Sequence, residues 1–304
     1  MKKTIGILTL ALALCLCLGL AQADGVTVTD MMGREITLSE PATRIVALTA
    51  SDCEILCALG CGDALVGRGE YCDYPESVLA VPSVQSGYET NLEQIVALQP
   101  QVVLMSTMAQ SAEQVDQLTQ AGIAVVVSDA KDIEGVYTSI RLIGALMGKD
   151  TEAEALVSLM QDVFAQIGEQ SEDTGKTVYF EVSPLQWGLW TAGRGTFMDE
   201  LAAMCGLTNI FADVEGWAEI SEEQVLARNP DFIVTITMYY GEGPTPVEEI
   251  LSRPGWDTVT AVRNGAILNA DSNEISRPGP RLMDAATTLL HFVQEHEAAE
   301  IPAA

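Results

Sequence analysis

The ten residues 91–100, NLEQIVALQP, return in modified form at residues 221–230, SEEQVLARNP. In both stretches a polar residue that can cap a helix comes first, a proline comes last, and an apolar run follows. Four residues are identical at equivalent positions: Glu93 and Glu223, Gln94 and Gln224, Ala97 and Ala227, Pro100 and Pro230. Each stretch therefore predicts a short helix that leads into a buried strand.

A second pair of positions repeats in the same order. Glu54 and Gly60 lie on the helix predicted after the first core strand, and Glu200 and Gly206 occupy the corresponding places later in the chain. Two repeats in one order indicate that the two halves of the chain share a topology.

Short apolar runs and amphipathic segments alternate on both sides of a long helical segment. This alternation predicts an α/β protein with two similar parallel-sheet lobes and a ligand cleft between them, at the carboxyl ends of the strands. We expect an N-terminal α/β lobe over 24–131 and a C-terminal α/β lobe over 171–304. Between them, apolar residues at three- and four-residue spacing predict a long inter-lobe helix over 132–170, where Gly148 could introduce a bend.

Charge excludes one class of partner. The 304 residues include 15 Lys and Arg against 43 Asp and Glu, a formal net charge of −28. Such a surface repels polyanions, so a nucleic-acid partner is not expected.

The first 23 residues have the features of a signal peptide. Two lysines precede an apolar run, and Ala21-Gln22-Ala23 matches the small-residue pattern of a cleavage site. We expect cleavage after Ala23 and a protein exported to the periplasm or the extracellular space. Leucine precedes both Cys15 and Cys17, which argues against a lipid anchor because the acceptor cysteine follows a small residue.

Five cysteines remain after the predicted cleavage: Cys53, Cys57, Cys61, Cys72 and Cys205. The first three are spaced four apart, which could align thiols for a metal, but the spacing matches no zinc motif and favours packing as small apolar residues. Whether any pair forms a disulfide is left open. The two histidines, His291 and His296, are five residues apart and do not share a helix face. No metal site and no cofactor is predicted.

Catalytic motifs are missing from the sequence. It contains no G-x-G-x-x-G, no P-loop, no H-E-x-x-H and no G-x-S-x-G. A non-catalytic binding protein is therefore favoured. Two alternatives remain: a secreted α/β enzyme that uses Glu70, Asp73 and Arg194, and a surface protein without a transport role.

Aromatic residues are concentrated in the loops that follow the predicted strands. Aromatic rings in such loops suit a large planar or macrocyclic ligand, whereas Trp256 is expected in the core. Arg68 and Arg281 lie in the same group of loops and could help to form a positive focus for ligand carboxylates. The predicted ligand-binding residues are Tyr71, Tyr88, Trp187, Trp190, Arg194, Trp217, Tyr239 and Arg277.

Several separated motifs, in order, carry a resemblance to a known family. They are the signal peptide, Arg44 to Leu48, Glu54 to Gly60, Val66-Gly67, Tyr71 to Pro75, residues 91–100 and residues 221–230. The chain resembles the iron-complex and cobalamin class of ABC-transporter substrate-binding proteins over residues 26 to 293. The resemblance implies a two-lobed protein that captures a ferric siderophore, haem or a corrinoid such as cobalamin and delivers it to the permease dimer. We expect a monomer.

The resemblance also assigns roles to particular residues. In this family one surface glutamate on each lobe binds the permease, and the matching residues are Glu93 and Glu223. Tyr71 and Trp217 match aromatic positions that contact the corrin ring in the cobalamin-binding members. A third aromatic position falls on Gly87, beside Tyr88. Haem would need an axial ligand, for which Tyr71, Tyr239 or Met238 would be available.

Overall fold

The computed structural model describes residues 25–87, 89–107, 111–171, 173 and 175–300. The predicted signal peptide and Tyr88 lie outside these ranges. Within them, no helix has both the length and the apolar composition needed to cross a bilayer.

The N-terminal half begins with a hairpin, in which β1 (Val26–Thr29) pairs antiparallel with β2 (Glu35–Leu38). A parallel five-stranded sheet follows, in the order β5-β4-β3-β6-β7. Its strands are β3 (Ile45–Ala47), β4 (Leu65–Gly69), β5 (Ser83–Val84), β6 (Val102–Met105) and β7 (Ala124–Val127). Its helices are α1 (Ala50–Ala58), α2 (Leu92–Ala97) and α3 (Ala112–Gln120).

The expected single helix over 132–170 is wrong, because the segment forms two helices that fold back on each other. They are α4 (Ile133–Met147) and α5 (Asp150–Gln170), and Gly148 between them has φ +64°. Arg141 Nε lies 2.8 Å from Glu154 Oε1, a distance that one continuous helix could not give to residues 13 apart. A Cβ on Gly144 would lie 2.5 Å from the Ala153 Cβ, so glycine permits the close crossing.

The C-terminal half contains a parallel four-stranded sheet in the order β10-β8-β12-β13, with a two-stranded ribbon, β9 and β11, beside it. The strands are β8 (Thr177–Glu181), β9 (Trp190–Ala192), β10 (Thr208–Asn209), β11 (Trp217–Glu219), β12 (Phe232–Thr235) and β13 (Ile267–Asn269). The helices are α6 (Phe197–Met204), α7 (Glu222–Arg228), α8 (Pro246–Leu251), α9 (Thr260–Asn264), α10 (Ser272–Ser276) and α11 (Leu282–Glu300).

The two sheets have the topology that the sequence repeats predict. In chain order, β3, β4, β6 and β7 correspond to β8, β10, β12 and β13, and the spatial order β4-β3-β6-β7 matches β10-β8-β12-β13. The repeated stretches form α2 and α7, which lead into the equivalent strands β6 and β12.

One apolar core extends through both lobes. It includes Ile45 in the first sheet, Ile140 on α4, Met160 on α5 and Phe180 in the second sheet. Because α4 and α5 carry this core from one lobe to the other, the lobes are joined by a packed apolar interface. Such an interface restricts the movement of one lobe against the other.

Candidate functional site

The carboxyl ends of the parallel strands carry loops rich in exposed aromatic rings. Tyr71 follows β4, Trp187 follows β8, and Tyr239 follows β12. Tyr71 and Trp187 are 77% and 75% exposed, and Tyr239 is 46% exposed. Large rings usually bury most of their surface, so rings left open at the carboxyl ends of strands mark a surface suited to binding.

The ribbon of β9 and β11 brings two tryptophans to one face. Trp217 pairs with Ala192, and Glu219 pairs with Trp190. Paired residues, and residues two apart in a strand, point to the same side, so Trp190 and Trp217 share a face. Both are partly exposed, at 40% and 43%. The three-residue strands are too short to give a periodic pattern, which is why the sequence did not reveal this ribbon.

The buried ring of Phe197 packs against the ring of Trp217. The two rings meet edge to face with centroids 5.7 Å apart, and Phe197 is buried as the first residue of α6. A close turn fixes the end of β9, since a Cβ on Gly193 would lie 2.3 Å from the Val214 carbonyl oxygen. The exposed face of Trp217 is thus held on a rigid support and left free to contact a ligand.

The arginines predicted to lie in these loops bind groups of the protein, and Arg68 lies within β4. Arg194 lies 3.0 Å from Glu215, and both side chains are largely exposed. Arg68 donates to the backbone carbonyl of Cys72 at 3.0 Å. The partners of these cations are far apart in sequence or lie in the backbone, so composition alone did not reveal them.

Arg277 connects the two lobes. Its Nη1 lies 3.0 Å from Glu54 Oε1 and 2.6 Å from Asp73 Oδ1, and its Nη2 donates to the Tyr71 carbonyl at 3.1 Å. The hydrogen bond from Arg277 lowers the pKa of Asp73 below its usual value. The predicted ligand-binding arginine therefore directs its guanidinium toward the N-terminal lobe.

Arg281 binds the same glutamate from the other side. Its Nε donates to Glu54 Oε2 at 2.9 Å, and its Nη2 donates to Glu54 Oε1 at 2.7 Å. The guanidinium also stacks over the Tyr74 ring at 4.2 Å. We call Glu54, Asp73, Arg277 and Arg281 the interlobe cluster.

Glu93 and Glu223 occupy matched positions at the second residue of α2 and of α7, and both are exposed. Asn91 accepts a hydrogen bond from Gln94 N at 3.0 Å, and Ser221 accepts one from Gln224 N at 3.4 Å. Each helix runs antiparallel to the strands of its sheet and leads into the amino end of the strand that follows it. The helix amino termini, with both glutamates, therefore lie on the side of the sheets that carries the ligand loops.

Trp256 is a core residue, as expected. It is fully buried, its Nε1 donates to Glu222 Oε2 at 2.8 Å, and Arg253 stacks on its ring at 4.5 Å. Arg253 is itself buried and lies 2.6 Å from Glu181. This chain of contacts fixes the amino end of α7 beside Glu223.

All five cysteines in the described part of the chain are free thiols, and four of them are buried. Burial raises the pKa of Cys205 to about 12, which makes this thiol unreactive. Among the described residues, no group of three or more His, Cys, Asp or Glu side chains could hold a metal ion. Cys53, Cys61, Cys72 and Cys205 pack as small apolar side chains.

Comparison with known proteins identifies the class. A family model described as periplasmic binding protein matches residues 45–274. An uncharacterised ABC transporter substrate-binding lipoprotein of Bacillus subtilis, YvrC, is 35% identical over 275 residues, which cover 88% of this chain and 85% of that protein.

Two further relatives extend the comparison. A vitamin B12-binding protein of Salmonella choleraesuis is 32% identical over 259 residues, 84% of this chain and 91% of that protein. The solved structure of a possible iron-binding, periplasmic solute-binding protein of Staphylococcus epidermidis superposes with a TM-score of 0.71 at 28% identity, covering 84% of this chain and 99% of that one.

The chain belongs to the periplasmic binding protein family. Its relatives are substrate-binding proteins and not enzymes, which confirms the prediction of a non-catalytic binding protein. It is an extracytoplasmic protein with the two-lobed α/β fold of this class.

Proposed function

We propose that this chain captures a corrinoid such as cobalamin for an ABC importer. The observation that carries the proposal is the ribbon of β9 and β11, which presents Trp190 and Trp217 on one face beside the exposed Trp187. A corrin ring is a broad apolar macrocycle with an amide-rich edge, and it suits flat aromatic contact. The vitamin B12-binding relative supports the same ligand class.

Charge supports a corrinoid over haem or an acidic siderophore. Haem carries propionates, which would need cationic partners in the cleft. Arg194, Arg277 and Arg281 are each paired with carboxylates of the protein. A ligand with a neutral periphery can occupy such a site without displacing these ion pairs.

A fluorescence titration of the purified mature chain tests the ligand. Cyanocobalamin, haemin and ferric siderophores are titrated in parallel, and quenching is corrected for the absorbance of each ligand. We expect saturable quenching by cyanocobalamin and only the corrected baseline with the others. Saturation by haemin or a ferric siderophore alone would assign the protein to iron acquisition.

Glu93 and Glu223 are proposed to bind the permease. Two like carboxylates on pseudo-symmetric lobes suit a two-fold symmetric membrane partner, and charged residues at a rim set orientation and association rate. Among the described residues, neither glutamate forms a salt bridge. Glu223 accepts hydrogen bonds from its own backbone amide and from Ser221, so a cation of the permease would be its ion-pair partner.

Uptake of radiolabelled cyanocobalamin by cells that carry only a variant gene tests this assignment. The double variant Glu93→Arg with Glu223→Arg should abolish uptake and leave the dissociation constant of the purified protein unchanged. Glu113→Arg is the matched control, because Glu113 is exposed at the second residue of α3 and has no counterpart in the repeats. Weaker ligand binding by the purified double variant would contradict a docking role.

We further propose that the chain is cleaved after Ala23 and functions as a monomer without a lipid anchor. The sequence of residues 1–23 supports this processing, although YvrC is named a lipoprotein. Mass spectrometry of the mature chain distinguishes a free amino terminus at Asp24 from a diacylated cysteine. Light scattering of the purified chain then gives its oligomeric state.

A further inference from the structure

The interlobe cluster lies where the ligand loop of the first lobe meets the second lobe. Tyr71 and Asp73 belong to the loop after β4, whereas Arg277 and Arg281 follow α10 at the far end of the sequence. Glu54 is almost completely buried between them, with 2% of its side chain exposed. A carboxylate so deeply buried persists as a charge only when it is paired.

Both oxygens of Glu54 are used. Oε1 accepts from Arg277 at 3.0 Å and from Arg281 at 2.7 Å, and Oε2 accepts from Arg281 at 2.9 Å. Two-point contact between a guanidinium and a carboxylate is the strongest and most directional form of ion pair. The cluster therefore fixes the position of both arginines relative to α1.

Arg277, held by Glu54, also contacts the loop after β4. It binds the Tyr71 carbonyl at 3.1 Å and Asp73 Oδ1 at 2.6 Å, on both sides of Cys72. Cys72 is buried, and its thiol donates to the Ala47 carbonyl at 3.7 Å. The turn is thus held by the first lobe at Cys72 and by the second lobe at Tyr71 and Asp73, while the Tyr71 ring stays 77% exposed.

The sequence repeat adds an independent observation. Glu54 and Glu200 are the second repeated pair, and Glu200 Oε2 accepts from Ile133 N at 2.7 Å at the start of α4. Each repeated glutamate leaves its own helix to bind a group of a distant part of the chain. In both halves the repeated glutamate thus connects its helix to a segment that is distant in sequence.

We propose that Arg277 is a positioning residue for ligand binding: with Glu54 and Arg281 it holds the loop of residues 71–74 so that the Tyr71 ring faces the cleft. Arg277 acts through the loop and makes no contact with the ligand. The proposal rests on the proposed function only in the identity of the ligand, since the geometry of the loop is a property of the protein alone.

Hydrogen exchange in the ligand-free protein tests the positioning itself. Arg277→Met should accelerate amide exchange in residues 70–75 by roughly tenfold or more, because two of the contacts that close this turn are lost. Arg194→Met is the matched control, since Arg194 is an arginine of the same group of loops whose ion pair is exposed and does not touch this turn. Unchanged exchange in residues 70–75 of Arg277→Met would overturn the proposal.

A double-mutant cycle of Arg277→Met and Tyr71→Ala, measured by cyanocobalamin binding, separates positioning from direct contact. Arg277→Met should weaken binding by at most about fivefold in the native background, no more than the loss in Tyr71→Ala, and by less than about twofold in Tyr71→Ala, because the arginine acts through this ring. Equal losses in both backgrounds would show direct contact with the ligand and overturn the positioning role. Arg277→Lys should restore little, because an ammonium cannot reach Glu54, Asp73 and the Tyr71 carbonyl together.

The outcomes distinguish this inference from the proposed function. If the native chain binds haemin or a ferric siderophore in place of cyanocobalamin, the corrinoid assignment fails and the cycle is run with the ligand that binds. Should Arg277→Met not fold, Asp73→Ala replaces it, because the Asp73 side chain is 47% exposed and its truncation removes one contact of Arg277. Asp73→Ala should then accelerate exchange in residues 70–75, and an unchanged rate would contradict the proposal.

Discussion

The two lobes share a strand order but bury a carboxyl group near the same strand in different ways. In the second lobe, Glu181 ends β8 and is 1% exposed, with Arg253 2.6 Å away. In the first lobe, Asp52 follows the equivalent strand β3 and is also fully buried, but it has only hydroxyl partners and its Oδ1 has none. Both lobes thus bury a carboxyl beyond or at the carboxyl end of this strand, and the side chains around it decide whether it is ionised.

The charge states follow from these surroundings. Burial raises the pKa of Asp52 to about 7, and hydrogen bonds from Thr49 and Ser128 offset only part of this effect. Burial also raises the pKa of Glu181, but the hydrogen bond and the charge of Arg253 counter it. Glu181 is held as half of an ion pair, and Asp52 as a carboxyl that gains or loses a proton near neutral pH.

The largest effect should come from removing the countercharge in the second lobe. Arg253→Met leaves Glu181 buried without a partner, and we expect a loss of about 3–5 kcal/mol in the free energy of unfolding. Urea denaturation followed by circular dichroism measures it. Arg194→Met is the control, because its exposed pair with Glu215 should contribute no more than about 1 kcal/mol. A loss below 1 kcal/mol for Arg253→Met would show that the buried pair adds nothing to stability.

The free energy of unfolding should depend on pH near neutrality because of Asp52 in the first lobe and not because of Glu181 in the second. The pKa of Asp52 rises from 3.8 to about 7, so the native state holds this proton more tightly than the unfolded chain. The stability that it contributes is complete below pH 4 and is lost as the pH rises through 7, by up to about 4 kcal/mol. Asp52→Asn should remove this slope and be more stable than the native chain at pH 8, in thermal unfolding between pH 4 and pH 8.

A carboxyl with the opposite shift provides the control for this pH dependence. Arg277 lowers the pKa of Asp73, so the stability contributed by Asp73 is present above its unfolded pKa and is lost as the pH falls. Asp73→Asn should therefore lower the free energy of unfolding at neutral pH, and this difference should shrink only as the pH falls below about 4, so that the slope between pH 4 and pH 8 stays as in the native chain. If Asp52→Asn left the slope between pH 4 and pH 8 unchanged, Asp52 would not be the group that titrates there.

Ligand binding should depend on aromatic rings of both lobes, and more strongly on the second. Trp217→Ala should weaken cyanocobalamin binding by about 1–3 kcal/mol, and Tyr71→Ala by about 1 kcal/mol, in proportion to the ring area lost. Leu159→Ala is the control, because Leu159 is 52% exposed on α5 and outside the ligand loops. An unchanged dissociation constant for Trp217→Ala would remove the ribbon from the site.

Much of the fold could be predicted from sequence because strands and amphipathic helices leave periodic patterns. The strand Val102–Met105 lies where the apolar run after residues 91–100 predicted it. The reversal at Gly148 was not predicted, because one glycine within an apolar stripe indicates a bend equally well.

The candidate site was less predictable. The aromatic loops could be located because they follow strands, but the partners of Arg277 could not. Glu54 lies 223 residues away and Asp73 lies 204 residues away, and no local pattern reports a contact at such a separation. Counting the arginines near the cleft therefore could not show that Arg194, Arg277 and Arg281 each pair with a carboxylate of the protein, or that Arg68 donates to a backbone carbonyl.

The smallest expected effects come from one substitution at the two glutamates that the sequence repeat pairs, Glu54→Gln and Glu200→Gln. At Glu54 the change leaves two largely buried guanidinium groups short of a countercharge, and we expect a loss of about 1–3 kcal/mol in the free energy of unfolding. At Glu200 burial raises the pKa, and the nearby carboxylates of Asp132 and Asp199 raise it further. A glutamine oxygen can still accept the hydrogen bond from Ile133 N there.

The neutral side chain at position 200 removes repulsion and retains that hydrogen bond, so Glu200→Gln should be neutral or stabilising by about 0.5 kcal/mol at pH 7. Urea denaturation of the two variants at pH 7, with the native chain beside them, gives both values. A loss of similar size at both positions would mean that the repeated glutamates are held alike. Changes of opposite sign in the free energy of unfolding would show that the same residue has different partners in the two halves. These partners are a pair of arginines in one lobe and a helix amino terminus in the other.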